Sequence, residues 1–130
     1  MSIEVSWLDE RHTIVLQKFS PGWTWADFDR AHDETFALIS GESDTVSFIT
    51  DLSQAPNPPN PNVMGHLQRI VHHLPANAGY IAVVGPGPFM RMMGDIFLGV
   101  MGKFGRSVSF EDSIESAEQS IRQKLDVIAA

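Results

Sequence analysis

Three histidines close in sequence, an Asp-x-Ser triplet and a glycine–proline turn are where this chain could do chemistry. His66, His72 and His73 fall on one predicted helix. At 3.6 residues per turn His66 and His73 share a flank, but the helical rise separates them by about 10 Å along the axis, too far to share a metal ion. His72 points elsewhere, and no His-x-x-x-His pair occurs. Asp51, Ser53 and a histidine supply the residue types of a hydrolytic triad. The chain has no Gly-x-Ser-x-Gly elbow, however, and nothing in the sequence brings a histidine beside Ser53. Gly85-Pro86-Gly87-Pro88 stands between a strand and a helix, where phosphates often bind. Its two prolines remove two of the N–H donors that such a loop needs, so a stiff turn with Pro88 as first helical residue is expected. The expectation is no catalytic site, no metal site and no cofactor.

Binding is the better prospect. Ala55 to Asn62 holds four prolines and three asparagines, Asn57, Asn60 and Asn62. The prolines forbid regular structure and favour a stiff, extended loop. It follows a strand that ends at Asp51, and open α/β folds place their sites at the carboxyl ends of strands. Asp51, Ser53 and the three asparagines are therefore candidate contacts for a partner or ligand. A helix expected over 89–104 supplies a second candidate. Phe89, Met90, Met93, Ile96, Phe97, Val100, Met101 and Phe104 fill an arc of roughly 140° on it. Met92 and Leu98 lie outside that arc. So broad an apolar face is either buried or set against a partner, and methionine suits adaptable contacts. Met92, Leu98 and Met101 are the candidate contacts here.

The elements that position these residues can be read from periodicity. Ile3, Val5 and Trp7 alternate with Glu4 and Ser6, as in a half-buried strand, and residues 13–19 read as its hairpin partner. Thr24 is placed to cap a helix, with Asp27 complementing its positive end and Trp23 as a staple against Phe28. Trp25, Phe28, His32, Thr35, Phe36 and Ile39 form its apolar stripe, which ends at Ser40-Gly41. A strand over 45–51 follows. Asn62 is the expected cap of the second helix, whose face is Val63, Leu67, Ile70, Val71 and Leu74. A strand over 79–84 lacks polar alternation and should be buried on both sides. After the third helix, a short strand over 106–110 leads to a fourth helix. Asp112 is its expected cap, Glu115 stands at the capping-box position, and the stripe runs through Ile114, Ala117, Ile121, Leu125 and Ile128. The order β-β-α-β-α-β-α-β-α implies one α/β domain with a mixed, mostly parallel five-stranded sheet and four helices.

That order, opening with a hairpin, resembles the STAS superfamily, the sulphate-transporter and anti-sigma-factor-antagonist domains, and within it the SpoIIAA-like proteins. Phe48-Ile49-Thr50-Asp51-Leu52-Ser53 is similar to the family's third strand, which commonly ends in Asp-Leu-Ser. Val108 through Phe110-Glu111-Asp112-Ser113-Ile114-Glu115-Ser116-Ala117 is similar to its last strand, acidic cap and final helix. The resemblance implies a non-catalytic regulatory or protein-interaction domain. Anti-sigma antagonists carry a phosphorylatable serine where the helix after the third strand begins. Here that stretch is Pro61-Asn62-Val63-Met64-Gly65, with no hydroxyl to phosphorylate.

Composition narrows the rest. A chain of 130 residues with 43% hydrophobic residues can bury one core and leaves little room for a second. A net charge of -7 argues against nucleic acid, and the absence of cysteine excludes disulfides and thiolate chemistry. No apolar run approaches a membrane span and the start does not read as a signal peptide, so a cytoplasmic location is expected. The expected partners are a second copy of the chain, another protein, or a small apolar molecule between the second and third helices.

Overall fold

The computed structural model describes residues 2–129, and side chains through Asp126. Five strands, β1 (Ile3–Trp7), β2 (Ile14–Phe19), β3 (Val46–Asp51), β4 (Ala78–Val84) and β5 (Val108–Glu111), form one sheet in the order β1-β2-β3-β4-β5. β1 runs antiparallel to β2 and the other pairs are parallel. The helices are α1 (Trp25–Ser40), α2 (Met64–His73), α3 (Pro88–Val100) and α4 (Ile114–Ala129), with a 3-10 turn over Gly102–Ser107. The expected single α/β domain with a mixed five-stranded sheet and four α-helices is what forms.

The strand order decides where the helices lie. From β2 to β5 each connection steps to the next strand in the same direction. Right-handed crossovers then put α1, α2 and α3 on one face. Val15, Phe48 and Ile81 pack with α1 residues on that face, whereas Ile14, Leu16, Ile49, Ala82 and Val84 pack with Ala117 and Ile121 of α4 on the other. β3 is the middle strand and is buried throughout. No crossover reverses direction, so the parallel strands have no topological switch point.

α1 begins as its sequence directs. The Thr24 hydroxyl accepts from the Asp27 amide and the Asp27 carboxylate accepts from the Thr24 amide. Trp23 stacks on Phe28, centroids 6.0 Å apart, which fixes the entry of the chain. α1 packs directly on β1, β2 and β3. α2 leans on α1 and α3 instead, has no buried residue, and no side chain caps its start. The last strand is Val108–Glu111 rather than 106–110, because Arg106 and Ser107 belong to the 3-10 turn, and three helix boundaries also differ from the sequence reading. Val63 rather than Asn62 precedes α2: its backbone is already helical and its carbonyl accepts from His66 and Leu67, while the Asn62 amide donates to Asn60. The third helix stops at Val100 because Gly102 takes φ +57°, a left-handed conformation that ends the α-helix and starts the 3-10 turn. α4 is capped by Ser113, whose hydroxyl accepts from the Ser116 amide, so Asp112 lies one residue too early. Ile128, the last residue of its expected stripe, lies outside the described side chains.

Candidate functional site

Because α2 and α3 stand away from the sheet, a cavity remains beneath them. About 90 Å³ of it admits the centre of a water-sized sphere. Its floor is sheet: Phe48 and Thr50 from β3, Ile81 and Val83 from β4, Val108 and Phe110 from β5. Phe28 and His32 of α1 form one wall, and Leu67 and Ile70 of α2 the roof. Met90, Gly94, Phe97 and Leu98 of α3, with Phe104 of the 3-10 turn, close the other side. Gly94 packs closely there, since a Cβ would stand 3.0 Å from the Phe110 ring. His32 and Thr50 are the only polar side chains in the lining.

Two polar features hold the enclosure together. Arg69 of α2 donates two hydrogen bonds to the Asp33 carboxylate of α1, at 2.9 and 3.0 Å. These bonds hold the Asp33 carboxyl below its usual range, against a smaller rise from partial burial. His66 of α2 donates from Nδ1 to Asp29 at 2.9 Å and lies flat against Trp25, centroids 4.3 Å apart. Beneath them runs a buried chain of hydroxyls and amide: Thr50 donates to Gln17, Gln17 to Thr35, and Thr35 to the Ala31 carbonyl. That chain satisfies Gln17, which has no solvent exposure at all.

The candidate residues from the sequence divide into three groups. Asp51 is buried at the end of β3 and accepts from the Ser53 amide at 3.0 Å, an Asx turn; Ser53 is exposed on that turn. Asn60 accepts from the Trp25 indole at 3.1 Å and from the Asn62 amide at 3.0 Å, so it anchors the proline loop to α1. Asn57 lies in a shallow cleft with Pro21, Gly22 and Trp23, and Asn62 is exposed. Leu98 does face the cavity. Met101 is half-buried at the end of α3, and Met92 is on the outside.

No family model, curated protein or solved structure matches the chain.

The breadth of the third helix's apolar arc is the reading that the structure corrects. Its inward face is Met90, Gly94, Phe97 and Leu98, whereas Ile96 and Val100 face outward and are 52% and 79% exposed. The helix stands off the sheet, so only one flank meets the core. His32 is the site residue that sequence reasoning passed over. The signal was present: a histidine within an apolar stripe, one helical turn from Phe28 and one from Phe36. Among the described residues no three His, Asp or Glu side chains come together in a way that could hold a metal ion. No described helix is long and apolar enough to cross a membrane.

Proposed function

We propose that this chain is a non-catalytic binding domain of STAS-like architecture, and that it holds a small apolar molecule in the cavity under α2 and α3. The cavity carries this reading: it is bounded by seven elements and its lining is apolar but for two side chains. The lining offers one titratable group, His32, and no carboxylate or second base with which it could share a proton. The opening hairpin and the consecutive strand order support the STAS-like reading. Native mass spectrometry of freshly purified protein tests the function. Extra mass that leaves on denaturation is the expected result. A bare chain that also fails to bind small apolar probes overturns the reading.

A second reading rests on the outside of α3. Met92, Ile96 and Val100 recur every fourth residue and are 50%, 52% and 79% exposed. That strip favours a protein contact, self-association included. Sedimentation of the wild type and of Ile96→Glu decides it: a dimer that the variant dissociates supports the contact, and a monomer in both removes self-association.

A further inference from the structure

His32 is 2% exposed and is packed among Phe28, Phe36 and Phe48. Its Nδ1 lies 2.9 Å from the carbonyl oxygen of Phe28. A carbonyl can only accept, so Nδ1 carries the proton and donates. Nε2 of the neutral ring is then a bare acceptor. It has no hydrogen-bond partner among the described residues, yet every fully enclosed side-chain nitrogen or oxygen among them has one. Nε2 must therefore open onto free space, and the space that His32 lines is the cavity.

Thr50, the other polar side chain in the lining, has no proton to offer. The Ala31 carbonyl fixes the direction of the buried chain. Thr35 spends its hydrogen there, so the Gln17 group facing Thr35 must be the amide NH₂, and the Gln17 oxygen faces Thr50. The Thr50 hydrogen is thereby committed to Gln17. The side chains of the lining present acceptors and no donor. An anionic headgroup would enter with nothing to donate to it and no positive charge to balance it, at a large desolvation cost. A molecule that brings its own donor would satisfy Nε2.

We propose that the cavity takes a neutral, largely apolar molecule with one hydroxyl, an alcohol or phenol, which donates its hydrogen bond to Nε2 of His32. This rests on the cavity being a ligand site. Burial lowers the His32 pKa to about 4, which keeps the ring neutral and Nε2 free to accept at neutral pH.

Three probes of matched length test it by calorimetry at pH 8: n-hexanol, methyl pentyl ether and hexanoate. The ether keeps the size and the oxygen but has no donor. The expected order is hexanol binding roughly tenfold more tightly than the ether, with hexanoate undetected. His32→Phe should remove the difference in affinity between hexanol and the ether. In the unaltered protein, hexanol should move the ¹⁵N resonance of Nε2 upfield and leave that of Nδ1 in place, a readout that does not depend on the variant folding. Equal affinities for hexanol and ether, with a static Nε2 resonance, overturn the donor inference while the cavity stands as a ligand site. Failure of all three probes to bind overturns the ligand-site reading itself.

Discussion

Arg69 grips Asp33 through both terminal nitrogens, at 2.9 and 3.0 Å, and so ties α2, which has no buried residue, to α1, which packs on the sheet. The pair is half open to solvent, so its loss should cost only about 0.5 kcal/mol of global stability. Its local effect should be larger. Asp33→Asn is expected to speed amide exchange across residues 64–73 and leave residues 25–40 unchanged, as measured by hydrogen exchange with mass spectrometry. Uniform protection in both proteins would mean that α2 is held by its apolar contacts alone. Acid should act like the substitution. The Asp33 carboxyl titrates lower in the folded protein than unfolded. The pair's contribution is therefore complete above the ordinary carboxylate pKa, about 4, and disappears as pH falls through the lower folded value.

His32 predicts a second acid sensitivity at higher pH. Its pKa drops from an ordinary value near 6.5 to about 4, chiefly through burial; Arg69 adds to the drop, and the Phe28 carbonyl, Asp29 and Asp33 oppose it. Between those two values the unfolded chain takes up a proton that the folded one refuses. The His32 contribution to stability should therefore fall as pH drops from about 6.5 to about 4, by at most about 3 kcal/mol, and change no further below that. Urea denaturation of the wild type and of His32→Phe across that range checks it. The variant should lack this part of the slope.

Most of the fold was legible because local rules and tertiary packing agree. Thr24, Asp27 and Trp23 specify the start of α1 by contacts within five residues. Apolar alternation places Ile3, Val5 and Trp7 on one face of β1. The cavity was far less legible. Periodicity shows that Ile96, Val100 and Leu98 are apolar, but not how far α3 stands from the sheet, and that distance decides which of them turn inward. The two ends marked by Asn62 and Asp112 were displaced by one residue because several polar side chains compete there, and only backbone geometry chooses among them. Asp51, Ser53 and the asparagines read as a site because they follow a strand end. In the fold Asp51 and Asn60 brace turns, while Ser53, Asn57 and Asn62 are exposed.

Gly85 and Ser53 should answer substitution in opposite ways. Gly85 holds φ +63°, and a Cβ there would stand 2.9 Å from the Ser53 Cα, a backbone atom that cannot step aside. Gly85→Ala is expected to cost about 1–3 kcal/mol. Ser53 has an exposed side chain, and it is its amide that meets Asp51, so Ser53→Ala should change stability by less than about 0.5 kcal/mol. Thermal unfolding of both variants separates a packing role for this junction from a role for the hydroxyl. A large loss in Ser53→Ala would give the hydroxyl a structural part that its turn does not suggest.

Filling the cavity should separate binding from folding. Val83 lies on the floor, half-buried because it looks into the open space. Two effects compete in Val83→Phe. A larger ring buries more apolar surface, worth about 25 cal/mol per Å². Forcing it into a packed site would instead cost about 1–3 kcal/mol. The cavity already holds room at Val83, so the first effect should offset the second. The melting temperature is then expected to stay within a few degrees of the wild type, while n-hexanol binding disappears. A steep loss of stability with binding retained would mean that the space beside Val83 is closed in solution and that any ligand enters elsewhere. A preserved fold without binding would place the ligand in the cavity that Leu67, Val83, Phe97 and His32 line.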